Sequence, residues 1–438
     1  MKRLAALLLA LCMILALGAC AAKSEPAVKE ETKTEQTTTE QTQTAAPAPE
    51  GDVVKIGCIL PLSGGSAYIG ELEKEGVQYC VDHYNQMGGV NGKQIEVIFA
   101  DSTGTADIAV TELERLITNE GIVAVTGPFN SAVAVAMAPI CEKYQIPFSI
   151  LGAASVEVLE QGYAYTFRSG NTANTNTDAL IGITKLISEK FGDEIKDVAI
   201  LYVNGEWGVS QSESFKNLFE GAGMNIVFNE TFEAGTSDFS SIITKLKQSG
   251  AQVMIPVIDN FSDAVLFTRQ MKEYKANIAL MCCGGVMVLP EFIETLGDDA
   301  NKIFSTDVWN ADFLSYLRGD EAVALHQGYV DQYGHKMGEQ AGMAWVATVT
   351  LLEAMNRASD LSSTSIKDAL ASLEIKEDDE ACLLLPYEVK FGEVDGMTNQ
   401  NVNAFSMASQ VIDQEWHSVF PDEILGENPI TWPILDAE

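Results

Sequence analysis

The sequence predicts an α/β protein built from two doubly wound, Rossmann-like lobes. Short apolar runs of strand length alternate with segments of helical spacing from Val53 onward, which is the pattern of a parallel sheet with helices on both faces. A second series of the same kind follows Phe167. Apolar residues make up 47% of the chain, which is enough to fill two cores of ordinary domain size.

The first series begins with the apolar run Val53–Leu60, whose length and composition predict a buried parallel strand. The next segment, Tyr68–Asn85, has apolar residues at helical spacing, and Gly88 and Gly89 end it. The further elements predicted here are strand Gln94–Ala100, helix Ala106–Asn119, strand Ile122–Thr126, helix Ser131–Tyr144 and strand Pro147–Leu151.

The second series repeats the alternation, and a less regular remainder follows from about Val308. Its predicted elements are helix Asn174–Lys190, strand Val198–Val203, helix Ser210–Ala222, strand Asn225–Thr231, helix Phe239–Gln248, strand Val253–Ile258, helix Asp263–Tyr274 and strand Ile278–Cys282. The remainder predicts helices Gly342–Ala358 and Ser365–Ser372, and strands near Val389–Phe391 and Ala404–Ile412.

The first twenty residues have the pattern of a secretory signal. Lys2 and Arg3 precede an apolar run, residues 4–17, that is shorter than the ~20 residues needed to cross a bilayer core. The segment 17–20, Leu-Gly-Ala-Cys, resembles the lipobox of bacterial lipoproteins. That resemblance implies a signal peptide 1–19, a lipid such as palmitate on Cys20, and an extracytoplasmic protein anchored to the cell membrane. An ordinary secreted protein with a chance cysteine is the alternative.

Composition narrows the function further. Residues 20–50 are rich in Thr, Gln, Glu, Ala and Pro, which predicts a disordered tether because little apolar surface is available to bury. The formal net charge of −35 argues against nucleic acid and against electrostatic docking on anionic lipid. No second long apolar segment follows the signal, so the chain is not expected to be a permease or channel.

The cysteines outside the signal and the lipidation site lack zinc-site spacing and the density of a disulfide-rich domain. Most lie in apolar segments, which predicts buried free thiols. A bridge between Cys58 and Cys80 is the alternative, because the first strand and first helix are expected to pack together. The six cysteines are Cys58, Cys80, Cys141, Cys282, Cys283 and Cys382.

An ordered set of motifs resembles the leucine/isoleucine/valine-type substrate-binding proteins of ABC transporters, a branch of the type 1 periplasmic binding proteins. The motifs are V-K-I-G at 54–57, P-L-S-G at 61–64, N-Q-M-G-G-V-N-G at 85–92, G-P-F-N-S at 127–131 and D-F-S at 238–240. The resemblance runs from about Val53 to Val419. It implies two lobes joined by three hinge crossings, with the ligand cleft between them.

By this resemblance, lobe 1 comprises about residues 53–170 and 308–395, and lobe 2 comprises about residues 171–307 and 396–438. The crossings would then lie near Ser169, Asp307 and Asp395.

Ligands of doubly wound sheets bind beyond the carboxyl ends of the strands, so the loops there contain the candidate site residues. Ser131 begins a predicted helix, where free N–H groups favour an anion; a simple helix cap is the alternative. The resemblance implies that Ser131 and Ser155 bind a ligand carboxylate, and that the carbonyl of Ala153 accepts from an ammonium group.

The resemblance also implies that three aromatic residues, Tyr68, Trp207 and Trp345, wall the pocket, although each could equally pack in a core. The acidic residue that such proteins place after a second-lobe strand is missing, because that loop, 282–286, reads Cys-Cys-Gly-Gly-Val. Asp259, at the end of strand Val253–Ile258, is the substitute candidate. Without an acidic partner, a carboxylate lacking an amine would suit the pocket better.

The function implied is an extracytoplasmic solute-binding protein of an ABC importer. It would capture a small branched-chain-type amino acid or related carboxylate by hinge closure and deliver it to a membrane permease driven by an ATPase. A ligand-sensing module for amides, urea or aromatic acids is the alternative. The four histidines are scattered and no nucleophile elbow or phosphate loop occurs, so we expect neither catalysis nor a cofactor or metal.

Overall fold

The computed structural model describes residues 52–314, 318–422 and 429–432. Within these ranges the chain forms two β-sheets, each covered by helices on both faces. The predicted signal peptide, Cys20 and the tether lie outside the described residues. No helix in the described part is long and apolar enough to cross a membrane.

The first sheet has eight strands in the order β11-β12-β13-β5-β4-β3-β1-β2. Strands β1 to β5 are parallel to one another, and β13 runs parallel to β5, whereas β12 and β11 are antiparallel to their neighbours. The strands are β1 (Val53–Leu60), β2 (Gln94–Asp101), β3 (Ala124–Gly127), β4 (Phe148–Ile150), β5 (Thr166–Arg168), β11 (Glu374–Ile375), β12 (Val389–Val394) and β13 (Met397–Asn401).

The second sheet has seven strands in the order β15-β14-β10-β9-β8-β6-β7. Strands β6 to β10 are parallel, and β14 and β15 add an antiparallel edge. The strands are β6 (Asp197–Val203), β7 (Asn225–Phe232), β8 (Val253–Val257), β9 (Ala279–Cys282), β10 (Phe304–Asp307), β14 (Met407–Ile412) and β15 (Glu415–Phe420).

Twelve helices of the described ranges connect and cover these strands. In chain order they are α1 (Ala67–Gln86), α2 (Ala106–Arg115), α3 (Ser131–Tyr144), α4 (Glu157–Glu160), α5 (Ala173–Phe191), α6 (Glu206–Gly221), α7 (Ser240–Ser249), α8 (Phe261–Glu273), α9 (Pro290–Leu296), α10 (Gly319–Tyr333), α11 (Glu339–Arg357) and α12 (Ser363–Ala371). Short 3₁₀ and π turns complete the list. The predicted two-lobed α/β fold is therefore confirmed.

The chain passes between the sheets three times. It leaves the first sheet after Arg168, returns after Asp307, and leaves again between Asn401 and Met407. The third crossing predicted near Asp395 is wrong, because β13 still pairs with β12 and β5 in the first sheet.

Two helices begin three or four residues earlier than predicted, and both of these starts line the candidate site. Helix α6 begins at Glu206 rather than Ser210, and α11 begins at Glu339 rather than Gly342. Gly342, predicted as the first residue of its helix, lies within the helix, and a Cβ there would be only 2.2 Å from the indole of Trp309. A glycine is needed at this position because the helix packs closely against Trp309, and not because the chain turns there.

The six cysteines of the folded part are all buried and free. The prediction of buried thiols is confirmed, and the alternative of a bridge between Cys58 and Cys80 is wrong. Both side chains are fully buried in the apolar core of the first lobe, where they pack as small hydrophobic groups.

Candidate functional site

A cavity of about 200 Å³ lies between the two sheets, at the carboxyl ends of their parallel strands. Both lobes contribute to its wall, as expected for the crevice of a doubly wound fold. The lining residues of the first lobe include Phe129, Asn130, Ser131, Gly152, Ala154, Glu339, Gln340 and Met343, and those of the second lobe include Gly205, Glu206, Trp207, Asp259, Cys283 and Gly285.

Helix α3 presents its N-terminus to this cavity. Ser131 is its first residue, and the N-cap residue Asn130 makes no side-chain capping hydrogen bond. The free N–H groups of a first helical turn, with the positive end of the helix dipole, favour a negatively charged group. The Ser131 hydroxyl accepts a 3.3 Å hydrogen bond from the backbone N–H of Ser155. This wall is therefore suited to a ligand carboxylate.

The loop that follows β4 is held from behind by Arg168. Its guanidinium donates to the carbonyl oxygens of Ala153 at 3.1 Å and Ser155 at 2.7 Å, and to Oε1 of Gln400 at 2.7 Å. The Ala153 carbonyl was expected to accept from a ligand ammonium group; in the structure it accepts from Arg168. Burial lowers the pKa of Arg168 to about 9. Arg168 positions the loop without lining the cavity.

Ser155 also lies behind the cavity wall. It is fully buried, and its hydroxyl donates a 2.8 Å hydrogen bond to Oε1 of Glu206 in the second lobe. A hydrogen bond to Glu206 raises the pKa of Glu157. The two lobes therefore touch directly here, through a side chain that was expected to hold the ligand carboxylate.

The three predicted aromatic residues occupy different places. Trp207, in the first turn of α6, lines the cavity and lies over Gly285, where a Cβ would be 3.7 Å from the indole. Tyr68 is 47% exposed and lies near Glu291, which together with burial raises the pKa of its phenol. Neither Tyr68 nor Trp345 is among the lining residues.

Trp345 is buried in the first-lobe core, against the rings of Tyr79 and His83 at centroid distances of 5.5 Å and 5.7 Å. Helix α11 reaches the cavity through its first residues, and Trp345 lies between one and two turns further along. Met343 still lines the cavity, and Trp345, two residues further along, points to the opposite side of the helix and into the core.

Two acidic residues besides Glu206 line the cavity, although the loop 282–286 contains none. Asp259 follows β8, and burial raises the pKa of its carboxyl. Glu339 begins α11, and burial and the charge of Asp307 raise its pKa. A Cβ on Gly284 would lie 3.0 Å from Oε1 of Glu339. The Glu339 carboxylate thus covers the glycine where an acidic side chain was sought.

Sequence reasoning missed Glu339 and Gln340, which come from a helix start that follows no predicted strand. It also missed the asparagines of the first crossing. Asn171 donates to Oδ1 of Asn176 at 3.0 Å, and both line the cavity. Ser406 of the third crossing donates to the same oxygen at 2.7 Å, which joins two crossings beside the site.

Comparison with known proteins supports this description. A family model described as periplasmic binding protein matches residues 53–410. A Leu/Ile/Val-binding protein homolog of Brucella abortus is 28% identical over 388 residues, which cover 86% of this chain and 94% of that protein.

Two solved structures share the fold. The chain resembles a leucine-binding protein of Thermotoga maritima with a TM-score of 0.72 and 19% identity, over 84% of this chain and 99% of that one. It resembles the branched-chain amino acid transporter substrate-binding protein of Streptococcus pneumoniae, in complex with isoleucine, with a TM-score of 0.70 and 22% identity, over 83% and 97% of the two chains.

Proposed function

The chain belongs to the periplasmic binding protein family, and from this premise we propose that it captures an amino acid between its lobes as the solute-binding subunit of an ABC importer. Closure of the lobes traps the ligand, and the closed form delivers it to a membrane permease whose transport is driven by an ATPase. Hinge closure around a ligand is the motion that this class of protein uses. The named relatives bind or are named for branched-chain amino acids.

The observation that carries the proposal is the polarity of the cavity. One wall is the N-terminus of α3 with Ser131, which suits a carboxylate. The other walls hold the carboxylates of Asp259 and Glu339, which suit an ammonium group. An α-amino acid carries both groups on adjacent atoms of one small molecule. A carboxylate without an amine would leave the two acidic side chains partly buried and without a cation.

Ordinary contacts can supply the binding free energy that capture of a small ligand requires. A micromolar Kd corresponds to about −8 kcal/mol. Hydrogen bonds to charged groups contribute ~1.5–3 kcal/mol each, and burial of a ligand side chain against Phe129, Trp207 and Met343 adds about 1.5–3 kcal/mol. Three or four such contacts reach micromolar affinity.

We propose further that the protein works outside the cytoplasm, held to the membrane by a lipid on Cys20. The lipobox-like segment supports this, and the acidic composition leaves acyl chains rather than headgroup attraction as the membrane contact.

Titration calorimetry with a panel of amino acids, benzoate and urea tests the proposed function. We expect at least one amino acid to bind, and Ser131→Ala to weaken its binding by about 1.5–3 kcal/mol. Ser240→Ala is the matched control, because Ser240 begins α7 but does not line the cavity. Binding of benzoate or urea with no amino acid bound would contradict the proposal.

A further inference from the structure

Resting on this proposed function, we infer that the captured amino acid carries a second cationic group on its side chain, as lysine- and ornithine-type diamino acids do. Three features of the cavity support this: the number and placement of acceptors in its wall, the absence of a cation among the described lining residues, and the one helix N-terminus, that of α3, that begins without an acidic residue.

Acidic side chains outnumber basic ones in the wall of the cavity. Asp259 on the second lobe and Glu339 on the first both line it, and neither takes part in an ion pair among the described residues. No lysine, arginine or histidine is among the lining residues in the ranges that the structure describes. A zwitterionic ligand carries one cationic group, fewer than the acidic side chains that it would face.

The third lining carboxylate, Glu206, already has partners. It accepts from the Ser155 hydroxyl at 2.8 Å and shares a hydrogen bond with Glu157. Asp259 has no side-chain partner among the described residues, and Glu339 accepts from the backbone N–H of Val308 and, at 3.5 Å, from the amide of Gln340. Two acidic side chains are therefore available to a ligand, one from each lobe.

The cavity wall also contains neutral hydrogen-bond acceptors that lack a donor. Gln340 is 2% exposed and lines the cavity, and its Oε1 has no hydrogen-bond partner in the described part of the chain. Its Nε2 faces the Glu339 carboxylate; turning the amide over would place oxygen against oxygen, so the free acceptor is the carbonyl. Oδ1 of Asn130 is likewise buried without a partner. Buried acceptors of this kind need donors.

A branched-chain amino acid cannot meet all these acceptors, because its only N–H donors are the three on the α-ammonium group. A diamino acid adds a second set of charged donors at the far end of its side chain. Three helix N-termini reach the cavity, but α6 and α11 begin with carboxyl groups of their own, Glu206 and Glu339, so α3 alone is left for a ligand carboxylate. Size does not decide between the two classes, since lysine has only one heavy atom more than leucine.

The arrangement favours an organic cation over a metal ion. Within the described ranges, no group of three or more His, Cys, Asp or Glu side chains is placed so that it could hold a metal ion. Burial raises the pKa of both Asp259 and Glu339, in keeping with carboxylates whose partner is supplied by the ligand.

The test is titration calorimetry on the full-length chain, freed of ligand by unfolding and refolding, with lysine, ornithine, norleucine and leucine. Norleucine is the control, because it is lysine with the terminal ammonium group removed. We expect lysine or ornithine to bind at least tenfold more tightly than norleucine. If norleucine or leucine binds as tightly as the diamino acids, the inference is overturned while the proposed function stands. If no amino acid binds, both are overturned.

Two neutralised variants, Asp259→Asn and Glu339→Gln, provide a second readout. We expect one of them to remove the preference for lysine over norleucine while norleucine still binds, and the other to weaken both ligands by a similar factor, because one carboxylate faces the α-ammonium group. Norleucine binding and the melting curve report on folding. Equal losses for both ligands in both variants would overturn the inference.

Discussion

The hydroxyl of Ser155 in the first lobe donates a 2.8 Å hydrogen bond to the carboxylate of Glu206 in the second. Both groups lie beside the cavity, and the bond joins the lobes without a ligand atom between them. In the proposed hinge motion a bond between the lobes forms only when they close, so we expect it to stabilise the closed form. A ligand can drive closure only through contacts that the closed form alone provides. We expect the bond between Ser155 and Glu206 to lower the free energy of that form further.

The variant Ser155→Ala should therefore bind the ligand more weakly. A hydrogen bond to a charged group contributes ~1.5–3 kcal/mol, so we expect an affinity roughly ten- to a hundredfold lower in calorimetry. Ser210→Ala is the control, because its hydroxyl makes a longer interlobe contact, 3.4 Å from the backbone N–H of Val156. An unchanged Kd for Ser155→Ala would show that the bond does not act in closure.

Glu73 makes the unfolding free energy depend on pH. It is fully buried in α1, neither oxygen has a hydrogen-bond partner in the described part of the chain, and burial raises its pKa well above the ordinary value. Its contribution to stability is therefore fully present below the ordinary glutamate pKa of about 4.3 and is lost as pH rises through the raised folded-state pKa.

Glu73→Gln keeps the shape and removes the titration. We expect the variant to lose less unfolding free energy than the wild type as the pH rises above the pKa of an ordinary carboxyl group. Urea unfolding over a series of pH values measures this. Glu71→Gln on the same helix, an exposed residue paired with Lys74 at 3.1 Å, is the matched control for removal of a carboxyl group. Parallel pH profiles for the wild type and Glu73→Gln would contradict this account.

Gly342 allows α11 to pack against Trp309. A Cβ there would lie 2.2 Å from the indole ring, so Gly342→Ala should lower the unfolding free energy by about 1–3 kcal/mol through overpacking. The matched control is Gly65→Ala, since nothing lies within 4 Å of a Cβ at that position. Equal stability of the two variants in chemical unfolding would show that α11 and Trp309 move apart without cost.

The proposed lipid anchor depends on one sulfur atom. Cys20→Ser should move the protein from the membrane fraction to the soluble fraction of its host, because acyl chains provide the proposed membrane attachment. Cys12→Ser, within the predicted signal peptide, should remain membrane-bound. Recovery of Cys20→Ser in membranes to the wild-type extent would refute the anchor.

The alternation of strands and helices could be predicted because buried parallel strands are continuous apolar runs. All five residues of Val253–Val257, for example, are buried. Strand β13 could not be predicted in this way, because its sequence, Met-Thr-Asn-Gln-Asn, is polar. Tertiary hydrogen bonds stabilise it: Arg168 donates to Gln400, and Asn401 donates to the carbonyls of Ser169 and Glu388. Those partners are distant in sequence, which explains the misplaced third crossing.

The site residues also fall into two groups, those that follow a predicted strand and those that only tertiary packing brings to the cavity. Ser131, Trp207 and Asp259 follow predicted strands, so their presence at the cavity could be inferred from topology. Glu339 and Gln340 enter from the first turn of a helix that follows no strand, and only the packing of α11 against α1 and Trp309 brings them to the crevice. The role of Arg168 behind the loop 153–155 depends on a long-range contact that no local pattern contains.

A crystal structure of the protein with the tightest-binding amino acid tests the central claim most directly. We predict electron density for the ligand between the lobes, with its carboxylate at the N-terminus of α3 beside Ser131 and its ammonium group facing Asp259 or Glu339. An empty cavity with the ligand bound elsewhere, or a ligand carboxylate placed against those two acidic residues, would contradict the account.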